Sequence, residues 1–148
     1  RSIRNWYYDN KKNFKSLYSR VGPVTVYEEW MLAQHGMFYD RLPSYFVAYD
    51  LFSHEDKQFI QTSIVRGVLT ASGFAVPPLV HVGTIPNSIA LEGLSFLKSE
   101  FSSSEMIEGL YFKVYDGKSL LRFKMVREGF KQGALWDHHE LKKNLLLA

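Results

Sequence analysis

Apolar side chains recur at the spacing of an amphipathic helix in the segment 9–21. The positions are Phe14, Leu17, Tyr18 and Val21. Asp9 or Asn10 is placed to cap the start of this helix, and Gly22-Pro23 is placed to end it. The pattern predicts a surface helix over residues 9–21.

A second helical pattern follows Ser53, which forms a capping-box-like start with Asp56. The apolar positions then keep to one helical face until Gly73. These positions are Phe59, Ile60, Ile64, Val68 and Leu69. We therefore expect a helix that begins at the Ser53 and Asp56 cap and ends at Gly73.

Four segments are rich in β-branched and aromatic residues, which favours strands. They lie at residues 24–31, 44–52, 107–115 and 119–126. The last two are joined across Asp116-Gly117, a strong signal for a β-hairpin. Interleaved helices and strands with a hairpin near the end predict an α+β fold, with a mostly antiparallel sheet system and flanking helices.

The remaining segments give weaker signals. Residues 76–84 are predicted to form a short buried strand or extended segment after a proline pair. Asn87 is placed to cap a helix that continues to about Ser99. Residues 134–148 are predicted to form a final helix.

Composition narrows the class of protein. The chain of 148 residues is long enough for one domain with a core, and 46% hydrophobic with 22% charged residues argues against disorder. No apolar run approaches the roughly 20 residues that span a bilayer, no secretory leader is present and cysteine is absent. We expect a soluble protein without a membrane partner, in a reducing compartment such as the cytoplasm. Because the chain opens on Arg1 rather than Met, we expect it to be a piece of a longer protein.

The chain is only mildly basic, so the positions of its charged residues say more about a binding site than its net charge does. The net charge of +3 and the isoelectric point near 9.1 permit nucleic-acid binding without indicating it. The segment DNKKNFK at 9–15 is basic around an aromatic residue, and a solvated helix face is the favoured interpretation over RNA contact. The five histidines match no zinc pattern.

Arg122 and Lys124 alternate on the last predicted strand, so their side chains point to one face about 7 Å apart. Two adjacent cations suit a phosphate, and an ordinary solvated strand face is the alternative. Glu108, at the start of the partner strand, would hold a metal or form a salt bridge with them. Glu108 and Lys113 are five positions apart, which places them on opposite faces of a regular strand.

Two further candidates lie on the central strands. Glu29 is a carboxylate within an apolar strand, which costs free energy unless it has a partner, whereas its neighbour Glu28 is expected on the opposite face. Phe46 is either a core residue or a platform for a flat ligand, and with 11 Phe and 9 Tyr in the chain the core is the ordinary outcome.

Three blocks in fixed order carry a family resemblance. They are VYEEWMLAQHG at 26–36, SYFVAYDLF at 44–52 and EGLYFKVYDGKSLLRFKMVREGF at 108–130. Together they resemble the nucleotide-binding blocks of ATP-dependent RNA ligases in the covalent nucleotidyltransferase superfamily. The resemblance implies that residues 1–148 are part of an adenylyltransferase domain of the ATP-grasp-like ligase type. That domain is incomplete at its N-terminus, because no Lys-x-Asp-Gly nucleophile block precedes the three.

The length of chain after the last block separates branches of the superfamily. DNA ligases and mRNA capping enzymes continue into an oligonucleotide-binding barrel, which needs roughly 70 or more residues. Only 24 residues lie after Lys124. This favours the RNA ligase branch.

The resemblance also implies roles for single residues. Glu29 would contact the ribose and Phe46 would stack on adenine, although the glycine that usually precedes this glutamate is Glu28 here. Glu108 would lie near Mg²⁺ or the attacked phosphate, and it is a candidate catalytic residue with Lys124. The phosphates of ATP or the adenylate would be bound by Lys113, Arg122 and Lys124. One nucleotide touches all of these groups, so Glu29, Phe46, Glu108 and Lys124 are expected to converge on one cleft.

The implied activity is the ATP-dependent joining of RNA ends. A lysine attacks the α-phosphate of ATP, AMP passes to an RNA 5′-phosphate, and a 3′-hydroxyl displaces AMP. Only Lys11, Lys12 and Lys15 precede Glu29, and all three fall on the predicted surface helix, so we expect an N-terminal segment or another chain to supply the nucleophile. The alternative is a ligase-derived module that binds nucleotide or RNA without catalysis.

Overall fold

A computed structural model describes residues 2–115, 120–130 and 142–148 of the chain. These residues form two compact units, and each is described by itself. The first unit comprises residues 1–31 and 44–77, and the second comprises 32–43 and 78–148. The division into two compact units does not test the prediction of a single domain. One domain can contain two such units, and two separate domains also form two units. None of the described helices is long and apolar enough to cross a membrane.

The first unit consists of helices packed on an antiparallel sheet. Its elements are α1 (Ile3–Asp9), α2 (Lys11–Val21), β1 (Val24–Trp30), β2 (Phe46–Ser53), β3 (Gln58–Phe59) and α3 (Thr62–Ala71). The strand order is β1-β2-β3. The predicted helix at 9–21 and the two predicted strands are confirmed. Helix α1 was not predicted, and it begins where the Ser2 hydroxyl accepts a hydrogen bond from the Asn5 amide at 3.3 Å.

The predicted start of the second helix at Ser53 and Asp56 is wrong. The Ser53 hydroxyl accepts a hydrogen bond from the Asp56 amide at 3.1 Å and donates one to the Asp56 carboxylate at 2.9 Å. These bonds belong to a turn and not to a helix cap. The chain after the turn forms β3, in which Phe59 pairs with Phe52 of β2. Helix α3 begins later, at Thr62.

The core of the first unit lies between β2 and the helices. Its buried members are Leu17, Phe46, Ala48, Leu51, Val65, Leu69 and Phe74. Strand β2 supplies three of these residues, Phe46, Ala48 and Leu51, which all lie on one face of the sheet. Along the β1–β2 ladder the register shifts between Tyr27 and Glu28, which marks a bulge.

The second unit contains α4 (Ser88–Ser95) and a hairpin of β4 (Gly109–Tyr115) and β5 (Leu120–Val126). The predicted cap at Asn87 is confirmed, since its side-chain oxygen accepts a hydrogen bond from the Ala90 amide at 2.9 Å, but the helix ends before Ser99. The predicted hairpin is confirmed as an antiparallel pair that forms a sheet of its own. Its Asp116-Gly117 turn lies outside the described residues. With antiparallel sheets and helices in both units, the α+β class is confirmed.

Two other predictions are wrong. The buried-strand alternative for residues 76–84 is wrong, because they lie outside helices and strands and are largely exposed, with Leu79 59% and Val82 78% exposed. Residues 142–148 are not helical, because Asn144 is buried and bonds to the segment 32–43. Its side chain accepts a hydrogen bond from the Tyr39 amide at 2.9 Å and donates one to the Ala33 carbonyl at 3.2 Å. The rest of the predicted final helix, up to residue 141, lies outside the described residues.

Candidate functional site

The β4–β5 hairpin gathers cationic side chains on one face. Lys113 lies opposite Arg122, and Tyr111 lies opposite Lys124. Residues directly opposite in an antiparallel pair project to the same face, as do residues two apart along a strand. The predicted shared face of Arg122 and Lys124 is therefore confirmed, and Lys113 and Tyr111 belong to it as well. We call these four residues the cationic face.

Glu108 also reaches the cationic face. Its carboxylate forms an ion pair with the Lys124 ammonium group at 2.5 Å, with the two side chains 24% and 54% exposed. Because Glu108 precedes β4, the alternation of the strand does not fix the direction of its side chain. This removes the conflict with Lys113 five positions later. An ion pair with this exposure contributes at most about 1 kcal/mol, so a phosphate or metal can replace either partner at little cost.

Gly109 sets the distance between the two strands beside this ion pair. A Cβ atom at position 109 would lie 2.1 Å from the Met125 carbonyl oxygen and 2.8 Å from the Val126 Cα atom. Only glycine permits this approach of two backbones. The Glu-Gly pair at 108–109 therefore combines a candidate functional carboxylate with a glycine that the close approach of the two strands requires.

The first unit places Phe46 in an aromatic cluster. The Phe46 ring is 6% exposed, and the Trp6 indole stacks on it with centroids 4.3 Å apart and planes within 4°. Phe14 approaches Phe46 edge-on at 6.0 Å, and Phe74 lies 5.8 Å away. Phe46 is thus a core residue in this structure. A flat ligand reaches the ring face that Trp6 covers only when the indole leaves.

An open cavity of about 450 Å³ adjoins this aromatic cluster. It is lined by Ile3, Arg4, Tyr7, Phe14, Val24, Val26, Glu28 and Phe46. Most of the lining is apolar or aromatic, and Arg4 and Glu28 are its charged residues. Such a lining suits a flat, mostly apolar group with a few polar attachment points.

Glu28 and Glu29 lie on opposite faces of β1, as predicted, but their environments are the reverse of the expectation. Glu28 pairs with Ala48 and shares the face of Phe46, whereas Glu29 lies on the exposed face. Burial raises the pKa of the Glu28 carboxyl above its usual value, and the charge of Glu29 adds to the effect. Within the described part of the chain, one buried carboxylate oxygen of Glu28 has no hydrogen-bond partner. The carboxylate that bears a desolvation cost is therefore Glu28.

Two residues of this region were missed in the sequence. Glu28 occupies a position where a glycine was expected, so it was not considered as a site residue. The two-residue alternation of β1 is the sequence signal that could have placed it on the face of Phe46. Trp6 had no signal, because α1 was not predicted. Glu29 and Phe46 lie on opposite faces of the β1–β2 sheet, so the structure does not bring these two side chains together. The convergence of Phe46, in the first unit, with Glu108 and Lys124, in the second, stays a prediction.

Metal ligands are sparse in the described residues. No group of three His, Asp or Glu side chains in these parts of the chain is arranged to hold a metal ion. His138 and His139 lie outside them. A metal at Glu108 would therefore need further oxygen ligands from a bound substrate and water.

Comparison with known proteins gives one match. A family model described as RNA ligase matches residues 1–126, which is most of the chain. The match covers β1, β2 and both strands of the hairpin. No curated protein matches the chain, and no solved structure matches it.

Proposed function

Because the chain belongs to the RNA ligase family, we propose that it is the nucleotidyltransferase domain of an ATP-dependent RNA ligase. It acts in RNA repair, joining an RNA 5′-phosphate to a 3′-hydroxyl through enzyme–AMP and RNA–adenylate intermediates. The nucleophilic lysine is supplied from outside these residues. This protein's own side chains bind the nucleotide, orient its phosphates and stabilise the charge that moves during transfer.

The cationic face is the observation that carries this proposal. Lys113 and Arg122 lie opposite each other, and Lys124 projects beside them. A triphosphate and its transition state carry negative charge on several oxygens, which several cations on one rigid hairpin neutralise together. Lys124 becomes available to a phosphate when its ion pair with Glu108 opens.

Glu108 is the residue that would hold Mg²⁺. Its carboxylate fits this ion, because Mg²⁺ is commonly bound by one or two carboxylates together with phosphate oxygens and water. When bound, the ion would neutralise phosphate charge and polarise the P–O bonds. Glu108 would hold the ion in place of its Lys124 partner, which would leave the Lys124 ammonium group to bind the phosphate.

Adenine stacks on Phe46 in the place of Trp6. The indole is a fused two-ring system of about the size of a purine, and it is already parallel to the Phe46 ring. Helix α1, which carries Trp6, is only seven residues long and has no fully buried residue. The family resemblance assigns the ribose to Glu29. Glu28 is the alternative, since it borders the cavity with Phe46.

Replacing Lys124 by alanine tests the phosphate role. We expect Lys124→Ala to weaken ATP binding by about 1.5–3 kcal/mol, because a charge-assisted hydrogen bond to phosphate is lost. Folding stays intact, since the side chain is 54% exposed. Titration calorimetry with ATP measures the effect.

The matched control is Lys142→Ala, which removes an exposed lysine of the same unit that is not part of either hairpin strand. Its ATP affinity should equal that of the wild type. If Lys124→Ala also kept the wild-type ATP affinity, Lys124 would be an ordinary solvated residue of the strand and not a phosphate ligand.

Replacing Trp6 tests the exchange on Phe46. We expect Trp6→Leu to tighten ATP binding about two- to tenfold, because adenine no longer competes with a ring stack worth about 0.5–1.5 kcal/mol. Leucine keeps apolar contact with the core, so the fold is retained. Trp30→Leu is the control, because Trp30 lies edge-on to Trp6 at 6.5 Å and is not the ring stacked on Phe46. Unchanged or weaker binding in Trp6→Leu contradicts the exchange.

A further inference from the structure

Helices α1 and α2 expose aromatic rings together with lysines. Helix α2 buries only Asn13 and Leu17, and α1 buries no residue. Tyr18 is 63% exposed and Tyr8 is 57% exposed. Exposed basic side chains on the two helices are Arg4, Lys11, Lys12, Lys15 and Arg20. The only acidic residue of the segment 2–22 is Asp9.

A hollow of about 690 Å³ lies along this surface. It is lined by Tyr7, Lys11, Phe14, Lys15, Tyr18 and Ser19. Lys11, Lys15 and Tyr18 are four and three positions apart, so they form one row along α2 about 10 Å long. The Lys11 ammonium group also lies 4.4 Å from the centroid of the Tyr8 ring, a cation–π contact that keeps this lysine at the aromatic surface.

The composition of the hollow selects the kind of partner. A solvated helix face commonly carries lysines, whereas a contiguous exposed apolar patch with a polar rim marks a binding surface. An acidic peptide would use the lysines and leave the rings unused. Single-stranded nucleic acid uses both, because its phosphates pair with cations while its bases stack on aromatic rings.

We propose that this hollow binds a single-stranded segment of the RNA substrate, with Lys11 and Lys15 on phosphates and Tyr18 stacked on a base. The choice of RNA as the ligand rests on the proposed function. The choice of contact residues rests on the side chains that line the hollow. A row about 10 Å long accommodates roughly two nucleotides. The hollow binds the RNA strand and takes no part in the transfer of AMP.

The test is fluorescence anisotropy with a short, unstructured, labelled RNA strand over about 50 to 200 mM salt. The double variant Lys11→Gln/Lys15→Gln should bind about tenfold or more weakly at the low-salt end. Its slope of log affinity against log salt should be shallower by about 1.4, since two phosphate contacts are lost. Lys12→Gln is the matched control, because Lys12 lies on the same helix but does not line the hollow. It should leave the slope unchanged.

Tyr18 separates stacking from charge. Tyr18→Ala should lose roughly 5- to 100-fold in RNA affinity, whereas Tyr18→Phe should retain it because its ring still stacks. Both variants should fold, since the side chain is largely exposed. Circular dichroism checks this.

Several outcomes overturn the inference. The first is that the wild-type protein binds no RNA. The second is that Lys12→Gln loses as much RNA affinity as the double variant, and the third is that Tyr18→Ala keeps the wild-type RNA affinity. If polyglutamate displaced the labelled RNA as effectively as unlabelled RNA does, the hollow would be a site for any anion and the inference would be wrong. ATP binding by calorimetry is measured on the same variants and should not change. Failure of the proposed function appears as absent ATP binding in the wild type, and failure of this inference appears only in the RNA titrations.

Discussion

Incubated with ATP and Mg²⁺, the chain of 148 residues is expected to gain no covalent adenylyl group. The first step of ligation requires a lysine amine that neighbouring cations or burial have activated, next to the α-phosphate. Lys11, Lys12 and Lys15 are the lysines that precede Glu29, and all three are exposed on α2. Stacking and charge contacts do not depend on the nucleophile, so ATP should bind without covalent attachment.

Mass spectrometry of the intact protein measures this result. A gain of about 329 Da, the mass of one adenylyl group, on the isolated chain would show that one of its own lysines is the nucleophile. Peptide mapping would then examine the three lysines of α2 first. The positive control is a longer chain, or an added N-terminal piece, that carries a Lys-x-Asp-Gly block.

The same measurement separates the two functions that the sequence leaves open. A ligase domain gains the adenylyl group once the nucleophile block is supplied, because the cations proposed to bind phosphate are already on one face of the hairpin. A binding module that has lost catalysis would bind ATP or RNA and remain unmodified under both conditions. The mass of the complemented protein therefore decides between them.

Elements with a strong local pattern could be predicted from the sequence. Strands β1 and β2 and the β4–β5 hairpin follow from β-branched and aromatic runs, and α2 follows from its apolar spacing and its flanking glycine. The pattern at Ser53 and Asp56 was misleading, because the same side-chain bonds that cap a helix also shape a turn. The pairing of Phe52 with Phe59 decided between the two, and that contact is not visible in local sequence.

Only part of the candidate site could be predicted in the same way. The shared face of Arg122 and Lys124 follows from the two-residue period of a strand. The ion pair of Glu108 with Lys124 does not, because Glu108 lies just outside the strand where that period no longer applies. The stack of Trp6 on Phe46 joins residues far apart in the sequence, so no local pattern predicts it.

Replacing Gly109 by alanine is expected to destabilise the hairpin by about 3 kcal/mol, the upper end of the usual cost of overpacking. The new Cβ atom would lie 2.1 Å from the Met125 carbonyl oxygen, and its three nearest neighbours are all backbone atoms, which cannot rotate away. The strands must separate or shift, which also moves Glu108 and Lys124 apart and weakens ATP binding. Gly93→Ala in α4 is the control, because its Cβ atom meets nothing within 4 Å and alanine favours a helix by up to about 1 kcal/mol. Urea unfolding should give a lower midpoint for Gly109→Ala and an equal or higher one for Gly93→Ala. A wild-type midpoint and wild-type ATP affinity in Gly109→Ala would show that the close approach of the two strands is not required.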